Sequence, residues 1–269
     1  MKQMIDCGRR TRRRATTFVV AFVCAVAVPA LIAIACTDIN GNADAVLSLQ
    51  FDTLANSAVV VGDTLRDTTG AVALPVVHAF NYKGKEITPI QVYFQSPDSG
   101  VTVDSATGII VGDSLRSTAA RIIATVGNLQ AVQRIKLTLR PDLIAASNGI
   151  DTLNYSLLDT TKNISTDALS VILSHGANAD SVVPNYIVSF EIVSQSNPNV
   201  AELVTENGKA SVVDTTDANG IAGRKIRVHP VNLGSTNVDS VIVQATAKYH
   251  GQPVTGSPVR LVMVLQQGT

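Results

Sequence analysis

Tryptophan is missing from the chain altogether, and 269 residues hold only five tyrosines, six phenylalanines and three cysteines. Each shortage excludes something. Grooves for carbohydrate or single-stranded nucleic acid need exposed aromatic platforms, and two hydrophobic cores claim most of the nine aromatics that follow position 36. Cysteine occurs at positions 7, 24 and 36 alone, so the chain beyond Cys36 can build neither a disulfide nor a cysteine-rich metal centre. Stability then rests on buried apolar surface, which about 230 residues can supply for two ordinary domains.

Signatures of chemistry are scarce too. The sequence has no Gly-x-Ser-x-Gly elbow, no phosphate-cradling glycine loop and no helix-borne histidine pair. His78, His175, His229 and His250 are scattered over separate segments, and His229 falls on the outward face of its strand. Asp151, Asp159, Asp167, Asp214 and Asp217 are the carboxylates to weigh for calcium. That ion needs six to eight converging oxygens, and no Asp-x-Asp-x-Asp loop supplies them, so these residues read as turn caps. The sequence predicts a protein that is not an enzyme and holds no metal or cofactor.

What is present begins with an address. Arg9-Arg10-Thr11-Arg12-Arg13-Arg14 precede FVVAFVCAVAVPALIAIA at 18–35, a run without one charge, and small residues lead into Cys36. A basic stretch, an apolar stretch and a small-residue cut site make an export signal. Its fate has three forms: cleavage with lipid attachment, an uncleaved anchor, or plain cleavage. The run reaches the length of a spanning helix, but Pro29 and the small residues fit processing better. Six of the 21 basic residues and one of the 21 acidic ones lie in positions 1–35, so the remainder carries 15 against 20, a net of −5. A mildly acidic chain without a basic stripe argues against nucleic-acid binding.

Leu31-Ile32-Ala33-Ile34-Ala35-Cys36 resembles a bacterial lipoprotein box, with Ala33 where leucine is usual. The resemblance implies a cut after Ala35, lipid on Cys36 and attachment to the membrane through that lipid. Thr37 stands where an aspartate would retain a lipoprotein at the inner membrane, which implies the outer membrane of the cell envelope.

Beyond a polar spacer at 36–45 the pattern is strands and turns. Ile135, Leu137 and Leu139 alternate with Arg134, Lys136 and Thr138; Ile226 and Val228 alternate with Lys225, Arg227 and His229. Tyr186, Val188, Phe190 and Ile192 share a face. Period-two alternation of this kind predicts half-buried strands. Lys83-Gly84, Gly127-Asn128, Asn148-Gly149, Asn207-Gly208 and Asn219-Gly220 predict turns. Short strands, frequent turns and no amphipathic helix predict an all-β sandwich. Pro141 ends the strand at 134–139 and marks a boundary, giving domains at 46–141 and 142–269. Val61-Gly62-Asp63-Thr64-Leu65-Arg66 recurs as Val111-Gly112-Asp113-Ser114-Leu115-Arg116. Two strand-edge segments sharing a Gly-Asp turn explain that echo without a repeat array.

The first domain resembles the group 2 bacterial immunoglobulin-like domains, through Val61-Gly62-Asp63-Thr64, the serine-rich turn at 96–100 with its valine strand, and Arg121-Ile122-Ile123-Ala124-Thr125. Tyr93-Phe94 replace the family's usual tryptophan. The second domain resembles the group 1, invasin- and intimin-like type. Thr216-Asp217-Ala218-Asn219-Gly220-Ile221-Ala222 carries that likeness, with Asp217 closing an Asx-turn, Gly220 at positive φ and Ala222 re-entering the core. Residues 150–185 exceed the compact pattern and their strands stay unassigned. The resemblances imply two immunoglobulin-like β-sandwich domains behind a lipoprotein signal peptide. They further imply a non-enzymatic envelope protein displaying spacer, adhesion or interaction modules to an envelope or surface partner. The competing reading is an exported binder of a small ligand, glycan or calcium at the inter-domain cleft.

Overall fold

Alternation in the sequence becomes two stacked-sheet units, each with its own core. The computed structural model describes residues 45–233 and 238–268; Ala35, Cys36 and the apolar run lie outside the described residues. The first unit comprises β1 (Ser48–Phe51), β2 (Ala58–Val60), β3 (Val77–Phe80), β4 (Tyr93–Gln95), β5 (Val101–Val103), β6 (Ile110–Gly112), β7 (Ala120–Val126) and β8 (Leu129–Thr138). Its main sheet runs β2-β8-β7-β4, while β1 pairs β3 and β5 pairs β6. Leu65, Ile110, Ile122 and Ile135 fill the space between and are 0–1% exposed. Phe51 meets Phe94 edge to face at 6.3 Å between ring centres. These two rings occupy the core without a tryptophan.

The second unit is larger. It holds β9 (Leu143–Asn148), β10 (Ile150–Tyr155), β11 (Leu169–His175), β12 (Ser181–Val182), β13 (Ile187–Ser194), β14 (Ala201–Val204) and β15 (Val213–Thr215). β16 (Ile221–Val228), β17 (Val238–Thr246), the short β18 (Lys248–Tyr249) and β19 (Gln252–Pro253), and β20 (Val259–Gln267) complete it. One sheet runs β10-β20-β17-β13-β15 and the other β12-β11-β16-β14, with β9 on β11. Residues 150–185, unassigned from sequence, supply β10, a 3-10 turn at Thr160–Asn163, β11 and β12. Along β16 the burial alternates without a break, with Ala222, Ile226 and Val228 inward. Phe190, Leu169, Leu173, Leu261, Met263 and Leu265 complete a core at 0–2% exposure. Fully burying each such side chain contributes about 1.5–3 kcal/mol.

Both units repeat one device, a first strand divided between two sheets. In the first, β1 pairs β3 antiparallel and β2 then pairs the last strand, β8, in parallel. In the second, β9 pairs β11 antiparallel and β10 pairs the last strand, β20, in parallel. This connectivity and the two facing sheets define immunoglobulin-like sandwiches. Asn148-Gly149, expected as a turn, is the point where the second unit's first strand changes sheet. An added Cβ on Gly149 would stand 3.1 Å from that of Ala146, a tight contact.

The echoed segments meet in space. Gly62 N–H donates to the Gly112 carbonyl at 2.7 Å, and Gly112 N–H donates to the Asp63 carbonyl at 3.0 Å. The sequence echo is thus a local pairing. Leu65 of the first copy is buried, whereas Leu115 of the second is 53% exposed.

Candidate functional site

Thr138 locates the joint between the units. Alternation along β8 puts it on the outward face, yet it is fully buried. The second unit covers it, and its hydroxyl donates to the Pro184 carbonyl at 2.5 Å. Two residues back on β8, Lys136 Nζ donates to Asn185 Oδ1 at 2.8 Å. A burial pattern read from one strand cannot foresee a neighbour brought by another domain.

Asp63 makes a further contact across the joint. Its carboxylate accepts from Thr64 N–H at 2.8 Å and from Arg66 through Nε and Nη2 at 3.0 Å each. Arg66 Nη1 closes the loop onto the Gly70 carbonyl at 2.9 Å. Oδ2 of Asp63 then reaches across the boundary to His250 Nε2 at 2.6 Å. Burial works to raise the Asp63 pKa, but hydrogen bonds from Arg66, His250 and the Thr64 amide outweigh it and hold it at about 2. Asp63 is a carboxylate at any ordinary pH. The Tyr249 ring stacks on His250 at 4.1 Å, and Tyr186 donates its hydroxyl to the Lys248 carbonyl at 2.7 Å. Burial pushes the Tyr186 phenol well above its usual range.

Backbone meets backbone beside this pair. A Cβ on Gly70 would fall 2.2 Å from the Gly251 nitrogen, and one on Gly251 would fall 2.6 Å from the Thr69 carbonyl oxygen. Both glycines have positive φ, +92° and +75°. No side chain fits in either place. Around the contact lies a cleft of about 270 Å³, lined among others by Asn56, Asp63, Thr64, Arg66, Tyr186 and Tyr249.

The turn residues singled out in the sequence stand directly behind the joint. Thr216 is 2% exposed; its hydroxyl donates to the Val183 carbonyl at 2.7 Å and accepts from Tyr186 N–H at 2.9 Å. It thereby braces the 183–186 stretch that receives Thr138 and Lys136. Asp217 Oδ1 accepts from Asn219 and Ile221 N–H at 2.8 and 3.0 Å. Gly220 takes φ +74°, and Ala222 is fully buried. The five carboxylates weighed for calcium have separate local partners, although Asp167 and Asp214 line one pocket. Asp214 pairs with Arg224 at 2.9 Å, Asp159 caps the 3-10 turn, Asp151 accepts from Thr152 N–H at 2.8 Å, and Asp167 offers its carbonyl to the Ser165 hydroxyl at 2.7 Å. Among the described residues no group of three His, Cys, Asp or Glu side chains could hold a metal ion.

The histidine pairings were the least legible feature of the sequence. The four are scattered, yet each lies within reach of a carboxylate: His78 between Glu86 at 2.6 Å and Asp52 at 3.2 Å, His175 by Asp142 at 2.8 Å, His229 by Glu202 at 3.6 Å, and His250 by Asp63. Asp63 and His250 are 187 positions apart. The only signal that could have marked Asp63 was the echoed Gly-Asp segment, which by itself reads as a turn.

No protein-family model matches the chain, and no curated protein matches it. Among solved structures it is similar to domains 4 and 5 of the S-layer protein SbsC, at 12% identity over 83% of this chain and 99% of that one, with a TM-score of 0.28. Extracellular cadherin domains 3–6 of protocadherin gamma B2 match at 11% identity over 87% of this chain, which spans 53% of that one, with a TM-score of 0.29. Human protocadherin-24 EC1-2 matches at 12% identity over 84% of this chain and all of that one, with a TM-score of 0.25. Superpositions this loose carry no argument about function. The class of the protein, a pair of immunoglobulin-like β-sandwiches, rests on its own sheet topology.

Proposed function

We propose that the chain is a non-enzymatic, lipid-anchored protein of the bacterial cell envelope, whose two immunoglobulin-like domains form a spacer that presents an interaction surface to an envelope or surface protein. The observation that carries this reading is the joint. A spacer must hold its domains in one relation, and here Thr138 is buried under the second domain while Gly70 and Gly251 touch through bare backbone. The basic and apolar leader ending at Cys36 supports export and lipid attachment, and Thr37 supports the outer over the inner membrane. The likeness of the 216–222 turn to invasin- and intimin-like domains supports an adhesive or interaction role.

The test is the intact mass and membrane fraction of the wild type beside Cys36→Ala. A lipid-modified mass starting at Cys36, lost with membrane association in the variant, is the expected result. Precursor mass and retained membrane binding in both proteins would instead make 18–35 a permanent anchor. Two cleaved, soluble proteins would remove the lipoprotein from consideration.

A second reading, a small ligand, glycan or calcium held between the domains, draws on the cleft. Thr64 lines it, and its Oγ1 is buried without a hydrogen-bond partner among the described residues; such a group invites a polar ligand. Thermal unfolding with and without calcium or an oligosaccharide panel decides: an unmoved transition in every case ends this reading.

A further inference from the structure

The described chain enters at the pole of the first domain that lies away from the joint. β8 reaches the joint at Thr138, with Val60 of β2 opposite it. Earlier on the same strand, Gln133 Nε2 donates to the Phe51 carbonyl at the end of β1 at 3.0 Å, so β1 starts on the side remote from the second domain. Just before it, Leu47 donates its N–H to the Phe80 carbonyl at 2.8 Å. Leu47 thus stands beside the hairpin that leaves β3, Asn81-Tyr82-Lys83-Gly84-Lys85. Asn81 fixes the shape of that hairpin. Its N–H donates to the Lys85 carbonyl at 3.0 Å, and its Oδ1 accepts from the Lys83 and Lys85 N–H groups at 2.9 and 3.0 Å.

The pole presents an amphipathic surface on this fixed frame. Leu47 is 51% and Tyr82 47% exposed; Lys83 and Lys85 are exposed as well, with Lys83 Nζ 5.3 Å from the Tyr82 ring centre. The hairpin's carboxylate, Glu86, is engaged by His78 Nδ1 at 2.6 Å. We propose that this pole docks on an anionic phospholipid surface, Leu47 and Tyr82 entering the interface while Lys83 and Lys85 meet lipid phosphates. The proposal rests on the reading that lipid on Cys36 holds the chain to a membrane. Eleven residues separate Cys36 from Leu47, roughly 40 Å at full stretch, so the tether delivers this pole to the bilayer first. Tyrosine suits the interface because its ring is apolar and its hydroxyl stays wet. Each lysine near an anionic surface favours docking about fivefold. In a chain with a net of −5 beyond position 35, a positive pole beside the tether selects one orientation, and the joint then carries the second domain away from the bilayer.

Hydrogen exchange on the full chain tests the docking, in detergent and in vesicles of phosphatidylcholine mixed with phosphatidylglycerol, with the intact mass of each sample reading the lipid on Cys36. Segments 46–48 and 81–86 are expected to gain protection on the vesicles. The double variant Lys83→Gln/Lys85→Gln should lose about 25-fold of that protection, fivefold for each lysine, while the core strands β7 and β8 exchange as in wild type. Pro230–Asn232, beyond the end of β16 with Val231 89% exposed, should exchange as it does in detergent. Unchanged exchange of 46–48 and 81–86 in a lipid-bearing chain overturns the proposal and leaves the anchor standing. Full protection in the double variant overturns it too, as does protection of 230–232 in place of the hairpin. A mass without lipid overturns the anchor instead; mixed vesicles added to that chain then decide the pole by the same two segments, protection supporting the docking and its absence ending it.

Discussion

Gly70 shows how much a single position can decide. Its backbone sits at φ +92° with the Gly251 nitrogen where a Cβ would go, so strain and collision oppose any substitution there. Gly70→Ala is expected to undock the domains while both cores stay folded. Faster cleavage of residues 139–142 by a non-specific protease, at unchanged circular dichroism, is the sign to look for; a wild-type rate would show the contact holds nothing. His78 makes a different prediction. Hydrogen bonds to Glu86 and then Asp52 raise its pKa above 6.5, so the folded state favours the cation. That stabilisation is complete below pH 6.5 and fades as pH rises through the raised value. His78→Gln should lower the first domain's melting temperature at pH 5.5 and much less at pH 9, by calorimetry.

At the scale of elements, β16 was written plainly in the sequence. Its strict alternation supports a sharp expectation: Ile226→Ala removes a fully buried side chain and should cost the second domain about 2–5 kcal/mol. Urea unfolding followed by probes in each domain checks it, and an equal loss in the first domain would show the cores are not separate. The alternation of β8 was equally legible up to Lys136, and failed at Thr138 because local periodicity reports the chain's own sheet and nothing beyond it. Asn148-Gly149 misled for a related reason. An Asn-Gly pair announces a change of direction, but whether the chain turns back or passes to the facing sheet depends on β11 and β20, which lie far along the sequence. The 216–222 turn was readable because its closure is local: Asp217 accepts from Asn219 and Ile221 N–H within the same seven residues. The joint was not, since Asp63 and His250 become partners only once both sandwiches exist.

For the whole molecule, two separate cores meet through one small polar seam. Cores tolerate pH well, because apolar burial does not titrate. The divided first strand adds a consequence at the same scale. In each domain the segment entering the second sheet lies parallel to the last strand, β2 beside β8 and β10 beside β20. When the two ends of such a domain are pulled apart, these neighbours slide in opposite directions along their shared ladder. Every hydrogen bond between them is then loaded together, in shear, where an antiparallel terminal pair would unzip bond by bond. Tension along the chain meets its greatest resistance at the place where each domain begins and ends.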